Sequence, residues 1–169
     1  TMANGTALVS GNAPIAITAG GNVTTSGISG GSLNATSTGG AVTVNGVIDG
    51  STGRVDLNAA RDVTINAPVL NTRSGSSLNA AGQNIIVNAP IDGSAGAIGG
   101  AVNLAARSDL AVNSSIVTHD GAINLSAATG VATVAIDRPE VLNAFDFQTL
   151  RELGRAFEDA SWDDSVAVV

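Results

Sequence analysis

Residues able to do chemistry are few in the first 130 positions. His119 is the single histidine and stands in Thr118-His119-Asp120-Gly121. With no second histidine and no cysteine it cannot complete a metal site, and it reads as a turn residue. Asp49, Asp92 and Asp120 each precede a glycine, a pairing that serves turns. If stacked they would offer carboxylates to calcium, but the Gly-Gly-x-Gly-x-Asp nonapeptide pattern is absent. Asn22-Val23-Thr24, Asn34-Ala35-Thr36, Asn113-Ser114-Ser115 and Asn124-Leu125-Ser126 fit the Asn-glycosylation pattern, which arises by chance in a chain rich in these residue types. No phosphate-binding glycine loop of the Walker or dinucleotide kind occurs. The recurrent functional group is instead the carboxamide of Asn45, Asn66, Asn88 and Asn113. An amide carries both donor and acceptor, so a stacked copy can bond to the copies above and below. The expectation is a structural Asn ladder, buried at one corner of a repeating fold, with no catalytic residue, no metal and no cofactor.

The spacing of those asparagines reveals the elements that position them. One pattern occurs four times: apolar, any, apolar, Asn, two small residues, apolar. The copies are 42–48, 63–69, 85–91 and 110–116. Before each lies a unit centred on Leu33, Leu57, Leu78 or Leu104, and Leu125 opens another. Ile15-Ala16-Ile17 is a degenerate earlier copy. These Leu anchors are 24, 21, 26 and 21 residues apart, a period that marks a solenoid. Apolar residues alternate within each copy, as in Val63 and Ile65, so the segments are strands. Gly, Asn, Asp, Ser and Pro separate them as turn formers. The expected fold is all-β, a right-handed parallel β-helix of about 5–6 coils, roughly 25–30 Å long at the spacing of neighbouring strands. Pro68 and Pro90, each after Asn-Ala, end a strand by removing an N–H.

Composition divides the chain near residue 130. Residues 1–130 hold 20 of the 21 glycines but no aromatic, Glu, Lys or Cys. Residues 131–169 hold all four aromatics, Phe145, Phe147, Phe157 and Trp162, and all three glutamates. The expected domains are therefore a repeat domain over 1–130 and a separate unit over 131–169. The net charge of −7, with no basic patch, argues against nucleic acid and anionic membrane as partners. No apolar stretch is long enough to span a bilayer. No signal peptide is visible at the start, Thr1-Met2-Ala3-Asn4-Gly5.

The run Gly-x-Val-x-Leu-x-Ala followed by Val-x-Ile-Asn-Ala-Pro-Ile resembles the central repeats of filamentous haemagglutinin-like exoproteins of Gram-negative two-partner secretion. The resemblance covers about residues 5–130. It implies a secreted, cell-surface segment with a structural or adhesive role and no catalysis, and a host-cell or cell-surface receptor as partner. Open solenoid ends add the expectation of head-to-tail self-association.

From Val131 the pattern changes. Alternation over Val131–Ile136 predicts a strand, and Arg138-Pro139 a break. Phe147, Leu150, Leu153 and Phe157 recur at helical spacing, and Val166–Val169 begins another strand. This strand–helix–strand closely resembles the N-terminus of the crotonase (enoyl-CoA hydratase/isomerase) superfamily, through Arg138, Pro139, Asn143 and Ala144. The resemblance places Asn143 and Ala144 in a loop near the CoA moiety. The family's oxyanion-hole glycines and catalytic carboxylates lie beyond the matched segment, so no hydratase activity is expected of this fragment. The alternative is a crotonase-type CoA enzyme, cytoplasmic, with the solenoid as a fused carrier, or an engineered chimera. The junction is in phase, since Val131 falls six residues after Leu125, as Val63 does after Leu57. The foreign strand would thus continue the last coil, and the helix would cap its open end.

Overall fold

Inward β-branched and Leu side chains alternating with small polar ones make each short segment a strand with one face to bury. The structure, a computed structural model, describes residues 1–3, 5–49, 53–70, 77–94, 100–119 and 121–128. Within them the chain winds as a parallel β-solenoid of about five coils, all strand and turn. The strand–helix–strand unit expected for 131–169 lies outside the described residues, as does the in-phase strand at Val131–Ile136.

Each coil passes through three faces. The first carries the longer strands: β2 (Pro14–Ala19), β5 (Ser32–Ser37), β8 (Val55–Ala59), β11 (Leu78–Gly82), β14 (Val102–Ala106) and β17 (Ile123–Ala127). The second carries β3 (Val23–Thr25), β6 (Val42–Val44), β9 (Val63–Ile65), β12 (Ile85–Val87) and β15 (Leu110–Val112). The third carries β1 (Ala7–Val9), β4 (Gly27–Ser29), β7 (Ile48–Asp49), β10 (Val69–Leu70), β13 (Ile91–Gly93) and β16 (Ile116–Thr118). Every strand pairs in parallel with its equivalent one coil away, so each face is a stacked sheet in chain order.

The register corrects part of the sequence reading. Positions 15, 33, 55, 78, 102 and 123 share one inward column of the first face, in steps of 18, 22, 23, 24 and 21 residues. Positions 17, 35, 57, 80, 104 and 125 share the next inward column. Leu33 and Leu78 therefore sit two residues away from the column of Leu57, Leu104 and Leu125, and the five leucines are not equivalent anchors. A strand alternates with period two, so a shift of two residues keeps every side chain on its side. Only the corner lengths distinguish the two alignments. The second and third faces keep the alignment expected from the Asn-containing copies: Val42, Val63, Ile85 and Leu110 stack, as do Ile48, Val69, Ile91 and Ile116.

The core is one continuous cluster in which the inward columns of the three faces meet. Val42, Val44, Val55, Leu57, Val63, Ile65, Val69, Leu78, Ile85, Val87 and Ile91 are fully buried. Volume is traded along the axis: Leu57 lies between Ala35 and Ala80, while Leu33 and Leu78 flank the smaller Val55. There a large side chain spreads over the small one of the next coil, and the described interior is filled without an aromatic.

Two measurements follow from this packing. Leu57→Ala would leave three alanines in succession, so it should cost about 3–5 kcal/mol, the upper part of the range for such truncations. The urea midpoint at unchanged m-value reads it. Thr25 is 1% exposed in the column otherwise built from Val44, Ile65, Val87 and Val112, and its hydroxyl has no hydrogen-bond partner. Thr25→Val should stabilise by about 1 kcal/mol through removal of an unbonded buried hydroxyl. A loss of stability instead would mean that the hydroxyl is bonded in solution.

Candidate functional site

The polar side chains repeated along the axis form three columns. At the corner between the second and third faces, Asn66 Nδ2 donates to Asn45 Oδ1 at 3.0 Å. Asn88 donates to Asn66, and Asn113 to Asn88, both at 2.9 Å. The backbone N–H groups of the same residues donate to the preceding coil, at 2.9 Å from Asn45 to Thr25 and 2.8 Å for the others. Asn66, Asn88 and Asn113 thus each bond twice to the preceding coil, once through the side chain and once through the backbone. These four residues are exposed, where burial was expected. The strand ends there, and small residues or Gly46 follow, so the corner turns the amides outward while Ala67 and Ala89 take the buried positions. Ser26 occupies the equivalent place in the first coil, where the corner is one residue shorter. Gly46 lies against it so closely that a Cβ would meet the Ser26 carbonyl carbon at 2.4 Å.

A second column runs up the outer side of the first face and was missed from the sequence. Asn124 donates to Asn103 at 2.7 Å, Asn103 to Asn79 at 2.8 Å, and Asn79 to Asp56 Oδ1 at 2.9 Å. Asp56 also accepts from Arg54 Nε at 2.6 Å. A carboxylate only accepts, so Asp56 terminates the relay. The signal was present in Leu-Asn-Ala and Val-Asn-Leu, but the misaligned leucines hid it. A third column lines the corner between the first and second faces. Asn22 Oδ1 accepts the Ala41 N–H at 3.0 Å, Asp62 Oδ1 accepts Asn84 Nδ2 at 2.8 Å, and Asn84 Oδ1 accepts the Asp109 N–H at 3.2 Å.

Arg107 has a related structural part. The corner after β11 is one residue shorter than those after β8 and β14, which leaves a shallow notch floored by Ala60, Ala81 and Gly82. The Arg107 guanidinium reaches back across that short coil. Its Nη2 donates to the carbonyls of Ala59 at 2.8 Å and Ala60 at 3.2 Å.

The remaining candidates do not converge. His119 is exposed at the end of β16. Asp49 and Asp92 share an outward column but are separated by Leu70, and Asp120 is outside the described residues. No group of three or more His, Cys, Asp or Glu able to hold a metal occurs among the described residues. Of the glycosylation-pattern residues, Asn113 and Asn124 commit Nδ2 to the columns. Asn143 and Ala144 lie outside the described residues. No helix among the described residues is long and apolar enough to cross a membrane. No family model matches the chain, and no solved structure matches it.

The amide columns can be tested by position. Among the described residues, Asn88→Ala breaks one side-chain bond to each neighbouring asparagine, whereas Asn113→Ala breaks the one to Asn88. The first should cost about 1–2 kcal/mol and the second about half that, given roughly 0.5–1.5 kcal/mol per net hydrogen bond. Equal losses at the two positions in urea titration would show that the column contributes nothing beyond local turn geometry.

Proposed function

We propose that the solenoid is a non-catalytic structural segment, a spacer or adhesive stalk, of a secreted bacterial filamentous surface protein of the haemagglutinin-like kind. The observation that carries this reading is where the regular polar residues are used. The repeated amides of all three columns bond coil to coil along the axis rather than converging on a cleft. A rod cohesive along its length is what a spacer requires. The repeat pattern Val-x-Ile-Asn-Ala-Pro supports the family, and the low charge of the described coils fits stacking without repulsion.

The alternative reading, part of a crotonase-type CoA enzyme carried on the solenoid, draws its support from Arg138, Pro139, Asn143 and Ala144 in the sequence. It predicts a cytoplasmic protein. The two readings separate in one pair of measurements. An antibody raised against the solenoid should label intact producing cells, and the purified chain should leave crotonyl-CoA unhydrated. Labelling only after permeabilisation, together with measurable hydration, would overturn the surface reading in favour of the enzyme.

A further inference from the structure

Asn45 differs from the three asparagines stacked on it. It is followed by glycine, whereas Asn66 and Asn88 are followed by alanine and Asn113 by serine. Asn4-Gly5 and Asn45-Gly46 are the chain's two Asn-Gly pairs, and Asn4 lies outside the described residues. The Asn45 amide is also used differently. Asn66, Asn88 and Asn113 each commit Nδ2 to the preceding coil. Asn45 accepts through Oδ1 from Asn66, and with Ser26 in the place before it, its Nδ2 donates to no group among the described residues. The Gly46 N–H has no partner among them either. The Asn45 side chain is exposed.

We propose that Asn45 is a site of spontaneous deamidation, and that the column and the corner direct its product to aspartate. The Gly46 nitrogen, once deprotonated, attacks Asn45 Cγ. An N–Cγ bond forms, the Cγ–Nδ2 bond breaks, and ammonia leaves a five-membered succinimide. Water then opens the ring. Attack at the former side-chain carbonyl restores the ordinary main chain and leaves an aspartate. Attack at the main-chain carbonyl leaves isoaspartate, whose main chain is longer by a carbon. In sum, amide and water become carboxylate and ammonium, and nothing is oxidised or reduced. Glycine favours the first step because no Cβ crowds its nitrogen. Loss of Nδ2 from Asn45 breaks no hydrogen bond of the column, whereas the same loss from Asn66, Asn88 or Asn113 breaks one.

The fold already contains a counterpart of the product. Asp56 ends the relay of the second column by accepting from Asn79 Nδ2 at 2.9 Å, as an aspartate at position 45 would accept from Asn66. A carboxylate only accepts, which is all this position does, and the bond becomes charge-assisted. Isoaspartate does not fit. The Asn45 N–H donates to the Thr25 carbonyl and the Val47 carbonyl accepts from the Ile28 N–H, both at 2.9 Å, so the corner is tied to the preceding coil on either side of Gly46. Gly46 itself lies against the Ser26–Gly27 peptide, where a Cβ would meet the Gly27 nitrogen at 2.5 Å. A longer main chain has no room there.

Incubation of the folded full chain at mildly alkaline pH, followed by peptide mass mapping, should show Asn45 becoming an acid before any other asparagine of the three columns. Isoaspartyl methyltransferase should label little of that product, but should label position 45 after incubation in concentrated urea. A67G creates another Asn-Gly pair at an asparagine whose Nδ2 is held. Asn66 of that variant should convert more slowly than Asn45 by about two- to tenfold, the factor of one net hydrogen bond. N45D should keep the urea midpoint of the natural chain or raise it. An Asn45 that stays an amide while the chain in urea converts it overturns the proposal. So do isoaspartate as the main product of the folded chain, equal rates at Asn45 and Asn66 in A67G, or a lowered midpoint in N45D.

Discussion

Parallel pairing of each strand with its own equivalent is the constraint from which the rest of this molecule follows. Strands stacked at about 4.8 Å bring each side chain against the corresponding side chain of the next coil. A position must therefore tolerate its own kind on both sides. Apolar residues do, and so does the carboxamide, which donates on one side and accepts on the other. Carboxylates do not, and their placement obeys that rule. Asp62 and Asp109 are separated by Asn84, Asp49 and Asp92 by Leu70, and Asp56 is followed by Asn79. Among these aspartates none stacks directly on another. The same rule accounts for a chain with so few charges in its repeats.

The constraint fixes strand pairing but leaves the corners free to differ. Coils differ in length by several residues, and the surplus is absorbed in turns while the ladders stay in register. Where one coil is short, a neighbour compensates. Gly46 permits the longer second-coil corner to lie directly on Ser26. Arg107 spans a short coil to reach carbonyls two coils away. These are adjustments to stacking unequal turns, and they explain residues that periodicity alone leaves unassigned.

Inward packing depends on the same axial relation. Within a strand the two inward positions can exchange large and small residues from one coil to the next. Val55 and Leu57 above Leu78 and Ala80 is one instance. The core is therefore specified between coils more than within any one of them, and it does without the aromatic side chains that a globular interior of this size would ordinarily use.

The sequence by itself determined the fold class, the strands of the four Asn-containing copies and the alignment of those copies on the second and third faces, because the Asn and the small residues after it punctuate each copy at the same offset. It also located the corner occupied by Asn45, Asn66, Asn88 and Asn113. The tertiary structure alone decided the register of the first face, where a shift of two residues preserves every inward and outward assignment and only the stacked corners choose between Leu33 over Val55 and Leu33 over Leu57. It likewise decided that the corner amides face solvent, that Asp56, Asn79, Asn103 and Asn124 form a column, and that Arg107 bonds backbone across an intervening coil. Each of these depends on which residues of different coils meet, a distance relation that spacing along one strand does not contain.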